Sequence, residues 1–151
     1  MIALAIGASA ACLAPEGADK WIGSQVIAYS KRSIEIISLA LQPNSQRLER
    51  LISPAAEFAL GAGDVAGSLD PGASGARALA KELKPASYMY KGWDYIPKEQ
   101  DICGPQKVEV EFVTAKGDQS AIVEFKFDHG LLQSAKGWWR TRHAGLVRVD
   151  R

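Results

Sequence analysis

Few side chains in this 151-residue chain could do chemistry, and they are scattered. Proton transfer of the isomerase or dehydratase kind needs a base with a tuned pKa and a donor for the developing oxyanion, both facing an apolar cavity. Donors are present: Tyr29 falls in a helical stretch, and Tyr88 and Tyr90 in an aromatic run. A matching base is not. Asp64 sits among glycines, Asp94 in a loop, His129 at a hairpin tip open to water, and His143 beyond the last strand. A metal site fares no better, because the two histidines and the isolated Cys12 and Cys103 make no Cys/His ligand cluster. Ser24, Ser30 and Ser33 have no nucleophile-elbow context. Gly61 to Gly75 lacks both the Gly-Lys-Ser/Thr ending of a phosphate loop and the third glycine of a dinucleotide loop, so it reads as a mobile connector. No catalytic residue, metal or cofactor is assigned.

Trp138, Trp139, Arg140, Arg142, His143 and Arg148 interleave rings with basic groups, a pattern that can bind single-stranded nucleic acid. A net charge of +1 gives no general attraction to a polyanion, so nucleic acid is not expected as a partner. Neighbouring tryptophans on a strand point to opposite faces. One completes the core, and the other covers the outer face, where Arg140 stacks on a ring or pairs with Glu109 or Glu111.

The elements that would hold these residues follow from periodicity. Lys107 to Arg142 reads as three consecutive antiparallel strands. Val108, Val110 and Phe112 alternate with Glu109, Glu111 and Val113. Ala121, Val123, Phe125 and Phe127 alternate with Ile122, Glu124, Lys126 and Asp128. The first set of each pair turns inward and the second turns to water. Lys116-Gly117-Asp118 and Asp128-His129-Gly130 are the hairpin turns. Ahead of them, Trp21 to Leu41 reads as a long helix with Ile22, Val26, Tyr29, Ile37 and Leu41 near one stripe, widened by Ile27 and Ile34. Pro43 stops it, and Asn44 or Ser45 caps a short second helix that Pro54 ends. A short strand over 56–60 with Phe58 inward, a third helix over 76–83 and a strand over 88–93 complete the order.

Hydrophobic residues at 47% and charged residues at 23% describe one globular domain too apolar for disorder. No run of about 18 apolar residues marks a spanning helix. Residues 1–14 carry no charge, and small residues crowd at Ala8-Ser9-Ala10-Ala11, as a signal or lipoprotein leader requires. No Lys or Arg precedes the apolar run, so the start lies upstream or the signal is a poor one. Ser9-Ala10-Ala11-Cys12 resembles a lipobox, although Ser9 stands where that pattern has Leu. Cys12 is therefore either a lipidation site, a disulfide partner of Cys103, or a free thiol. The expected location is the periplasm, or a membrane through a lipid on Cys12. It is the cytoplasm if the segment is not a signal.

Helix, helix, short strand, helix and then hairpin-linked strands resembles the nuclear transport factor 2-like superfamily over about residues 21–145. Phe125-Lys126-Phe127-Asp128-His129-Gly130-Leu131 and Trp138-Trp139-Arg140 carry the likeness. The resemblance implies an α+β cone, with a curved antiparallel sheet wrapped around the long N-terminal helix and a pocket at its open end. Because function varies widely across that superfamily, fold alone licenses little. The expectation is non-enzymatic binding of a small apolar ligand, contacted by Tyr29, Tyr88, Phe112, Phe125 and Trp139, or of an envelope partner. A homodimer through the sheet face is a further expectation. The alternative is a lyase or isomerase with Tyr29 as donor.

Overall fold

The computed structural model describes residues 11–62, 65–90 and 101–142. Three helices precede or interrupt six strands: α1 (Ile22–Ala40), α2 (Gln46–Leu51), β1 (Ile52–Ala62), β2 (Val65–Ser68), α3 (Gly72–Leu83), β3 (Ser87–Tyr90), β4 (Gln106–Val113), β5 (Gln119–Asp128) and β6 (Leu131–Thr141). The strands form one curved, unclosed sheet in the order β2-β1-β6-β5-β4-β3. Every pairing is antiparallel except β1 with β6, which is parallel and makes the sheet mixed. The long connection from β1 to β6 is what permits that parallel pair.

The inward set expected from alternation is inward. Val108, Val110, Phe112, Ala121, Val123, Phe125 and Phe127 are each at most 5% exposed and join α1 and α3 in one core. The outward set departs from expectation on β4, where Glu111 is 1% and Val113 4% exposed. For Glu111 the cause is partnership. Arg140 Nε and Nη2 lie 3.1 and 2.6 Å from its Oε1, and Ser120 Oγ donates to the same oxygen at 2.6 Å. Thus Arg140 pairs with Glu111, one of the two carboxylates expected.

The first helix buries a different stripe from the one its aliphatics suggest. Gln25, Tyr29, Ser33, Ile36, Ile37 and Ala40 face inward, while Ile27 and Leu41 are about half exposed. Polar members of the buried stripe direct donors to nearby carbonyls: Gln25 Nε2 donates to the Asp19 carbonyl and Ser33 Oγ to the Tyr29 carbonyl. Helix α1 packs against α3, whose own buried face is Ala76, Leu79, Ala80 and Leu83. Ser45 caps α2, its Oγ accepting from Leu48 N at 3.2 Å.

The glycine-rich stretch is ordered where it is described, not a mobile connector. Val65–Ser68 pairs with β1, and α3 begins at Gly72, four residues before the expected start. Two of its glycines are there for close approach. A Cβ on Gly61 would lie 2.1 Å from Val65 O, and one on Gly75 would lie 1.8 Å from Asp70 O. The expected end of β3, residues 91–93, lies outside the described residues.

Candidate functional site

One end of the sheet, at the β5–β6 hairpin, is closed by chain rather than open. Asp128-His129-Gly130 makes that turn, with His129 at φ 50° and Gly130 at φ 80°. Residues 11–14 cross directly over it. Leu13 N donates to His129 O at 2.8 Å, and a Cβ on Gly130 would strike Leu13. Beside them lies the loop 101–105, tied to the hairpin by His129 N donating to Cys103 O at 3.0 Å. Gln106 Nε2 donates to Asp101 O within the same loop. Cys12 and Cys103 are joined as a disulfide with Cα atoms 5.5 Å apart, locking the crossing segment to the loop. A sulfur held in that bond carries no lipid, so the two fates weighed for Cys12 exclude each other.

Tyr29 lies beneath this strap. Its hydroxyl donates to the Ile102 carbonyl at 2.8 Å, and its ring sits 5.0 Å from that of Phe127. Burial pushes the phenol pKa up, Arg32 opposes this, and Asp101 and Asp128 raise it further. The group is therefore a neutral donor already occupied by a backbone oxygen. Burial also lowers the Arg32 pKa, against which Glu35 acts, while Arg32 Nη1 donates to Leu13 O and helps hold the strap.

The five residues expected to touch a ligand do not gather around one cleft. Tyr29, Phe112 and Phe125 are 0%, 2% and 0% exposed, so all three side chains are buried. Phe112 and Phe125 meet edge to face with centroids 6.2 Å apart. Tyr88 is half exposed on the edge strand β3, opposite Phe112. Trp139 lies across from Ala121 and walls a surface cavity of ≈ 550 Å³ with Leu83, Thr114 and Lys116. In register, Phe112 and Trp139 share a row with Ala121, six residues from Phe127, or about 20 Å along the strand. Tyr29 is thus at one end of the core, and Tyr88 and Trp139 are at the other.

Of the weighed bases, His129 is exposed and pairs with Asp128 at 3.1 Å, while Asp64, Asp94 and His143 lie outside the described residues. Among the described residues no group of three or more His, Cys, Asp or Glu could hold a metal ion. The outer face of the sheet carries a different feature. Met89, Glu111, Ile122 and Trp138 form one row across β3, β4, β5 and β6. Met89 on the edge strand and Trp138 on an interior strand are each 41% exposed, and Glu111, paired with Arg140, lies between them in the row. Sequence reasoning missed the Ile102 carbonyl and the strap, because a backbone acceptor has no residue signature. The cysteine pair was the one signal available.

No protein-family model and no curated protein matches the chain. Among solved structures, it is similar to a protein of unknown function with cystatin-like fold from Methylobium petroleophilum, at 11% identity over 82% of each chain with a TM-score of 0.48. It is also similar to a steroid delta-isomerase from Pseudomonas aeruginosa, at 14% identity over 76% of this chain and 79% of that one, TM-score 0.47. A third is an NTF-2 like protein of unknown function from Silicibacter pomeroyi, at 15% identity over 80% and 98%, TM-score 0.44. The structure neighbours are thus NTF2-like and cystatin-like fold proteins, and at these identities their activities do not transfer to this chain.

Proposed function

We propose that this protein is a non-enzymatic binding module of an oxidising, extracytoplasmic compartment, meeting an envelope protein through the outer face of its sheet. The observation that carries the reading is the state of Tyr29. The best-placed donor for cavity chemistry is fully buried and bonded to the Ile102 carbonyl, with packed rings where a substrate would lie. What remains for function is the surface. There Trp138 is a large ring left partly in water at the middle of a sheet face, beside charged residues of both signs. A tryptophan in that setting is the residue type most enriched at the centre of protein interfaces. The Cys12–Cys103 disulfide supports the compartment, since such bonds persist where thiols are oxidised.

The test is photocrosslinking in the protein's own cells, with a photoreactive side chain at position 138, and at position 84 on α3's C-cap as control. Capture of one envelope protein at position 138 and not at 84 is expected. Native mass spectrometry of the protein from the same cells separates the rival readings. A stoichiometric small molecule lost on denaturation would replace the partner with a ligand. Turnover of an apolar carbonyl compound, abolished by Tyr29→Phe, would establish the isomerase or lyase alternative.

A further inference from the structure

The Cys12–Cys103 disulfide lies at the surface. Cys12 is exposed and Cys103 partly buried, so a reagent in solution meets the Cys12 side of the bond first. The two segments that it joins differ in what else holds them. Residues 11–14 are tied by Leu13 N donating to His129 O and by Arg32 Nη1 donating to Leu13 O. The loop 101–105 is tied both to its surroundings and within itself. Tyr29 Oη donates to Ile102 O and His129 N to Cys103 O. Cys103 N, Gly104 N and Gln106 Nε2 all donate to Asp101.

That asymmetry decides what moves when the bond is cut. Two hydrogen bonds do not offset the conformational freedom that four residues regain, whereas the loop keeps every bond of its own. A pivot is in place. Pro15 is buried, and Ala18 N donates to Pro15 O in a turn. The chain is fixed again at Asp19, whose carbonyl accepts from Gln25 Nε2 at the start of α1. Swinging residues 11–14 about Pro15 thus leaves α1 on the core. It removes an acceptor from Arg32, whose side chain is only 10% exposed, and bares the hairpin backbone at His129 and Gly130.

We propose that this disulfide is a reversible latch on residues 11–14, and that Cys12 is the site at which a dithiol exchanges with it. One thiolate of the dithiol attacks Cys12 Sγ and forms a mixed disulfide there. The Cys12–Cys103 bond breaks, and Cys103 leaves as a thiolate that takes a proton from water. The dithiol's second thiolate then displaces Cys12. The dithiol is thereby oxidised by two electrons to its own disulfide, and both cysteines of this chain end as thiols. The same steps in reverse close the strap. None of them involves the outer sheet face, so the latch and the partner proposed for Trp138 stand or fall separately.

The test uses the oxidised full chain with reduced glutathione and dithiothreitol as probes. Glutathione adducts, quenched with acid at early times and mapped by mass spectrometry, should lie on Cys12 at least tenfold over Cys103. Dithiothreitol should open the bond without urea and leave the far-ultraviolet circular dichroism of the folded domain. Hydrogen exchange of residues 11–14 should then rise at least tenfold, and exceed that of 101–106 and of β5 by the same factor. Glutathione found mainly on Cys103 would overturn the inference, as would reduction that proceeds only in urea. Loss of the folded spectrum on reduction would do the same, because the bond would then hold the whole domain and not a latch. So would exchange at 11–14 that reduction leaves unchanged, or a loop 101–106 that exchanges as fast as the strap.

Discussion

Cys103→Ser should be among the most damaging single changes outside the core, and its size can be worked from chain length. The disulfide closes a loop of 91 residues. Chain entropy for that loop gives a stabilisation of about 4.6 kcal/mol at 25 °C. A domain of this size loses about 2 kcal/mol per molar urea, so the unfolding midpoint should fall by about 2 M. The native contacts of the strap add a local signature. With the crosslink gone, Leu13 N on His129 O and Arg32 on the Leu13 carbonyl are held only by themselves. Their amides should exchange faster than those of β5, which sits at the centre of the sheet. The assay is urea unfolding of wild type, Cys12→Ser, Cys103→Ser and the double variant, with exchange read by mass spectrometry. Because each single change removes the same bond, the three variants should lose the same stability. Additive losses, or wild-type and variant midpoints within about 0.3 M of each other, would refute the reasoning. So would two titratable thiols in protein purified under oxidising conditions.

Tyr29→Phe should lower stability by about 1 kcal/mol through loss of the bond to Ile102, and should also change the alkaline limb of the pH profile. With the folded pKa raised above its ordinary value of 10.0, the contribution is constant below pH 10; above it the unfolded chain loses its proton first and stability falls. The variant lacks that fall, which urea midpoints between pH 8 and 11 measure; parallel profiles would contradict it. Gly75→Ala forces a Cβ to within 1.8 Å of Asp70 O and 2.6 Å of Phe58 Cδ2, so a loss of about 3 kcal/mol is expected. Gly117→Ala meets nothing within 4 Å and is charged only with its positive φ, about 1 kcal/mol; thermal melts should rank the two in that order. Arg140→Met leaves the buried Glu111 short of its main cation and should lose about 2 kcal/mol, after allowance for the arginine's own exposure. Lys107→Met, which removes an exposed ion pair with the partly exposed Glu124, should lose under about 1 kcal/mol by the same melts.

Much of the fold was legible because burial and hydrogen bonding act on the same period. On β4 and β5 the residues at 108, 110, 112 and 121, 123, 125, 127 repeat every second position, and a strand has no other way to bury them. The start of helix α2 was legible from Ser45, whose capping preference is local, but its end was not, because the helix stops at Leu51 and Pro54 lies within β1. Pattern reasoning failed where a contact is made between distant residues. The buried stripe of α1 includes Gln25 and Ser33, acceptable inside only because backbone carbonyls receive their donors. The glycine stretch looked loose because glycine is permissive. At Gly61 and Gly75 it is required for the opposite reason, since two backbones or a backbone and a ring come too close for any side chain.

The candidate site was less legible than the fold, and the reason lies in which atoms compose it. Tyr29, Phe112 and Phe125 could be named as inward-facing, but whether rings line a cavity or fill it depends on distances of an ångström set by the whole core. Here all three are buried, and the acceptor that engages Tyr29 is a peptide carbonyl placed by a disulfide 91 residues in span. Without that bond, residues 11–14 would have to stay over the hairpin by two hydrogen bonds and the contact at Gly130. Such bonds contribute about 1 kcal/mol each, against a backbone ordering cost of about 1–2 kcal/mol per residue. Four ordered residues therefore exceed what the contacts return. The crosslink is what makes the closed end of the sheet a stable arrangement rather than a frayed terminus.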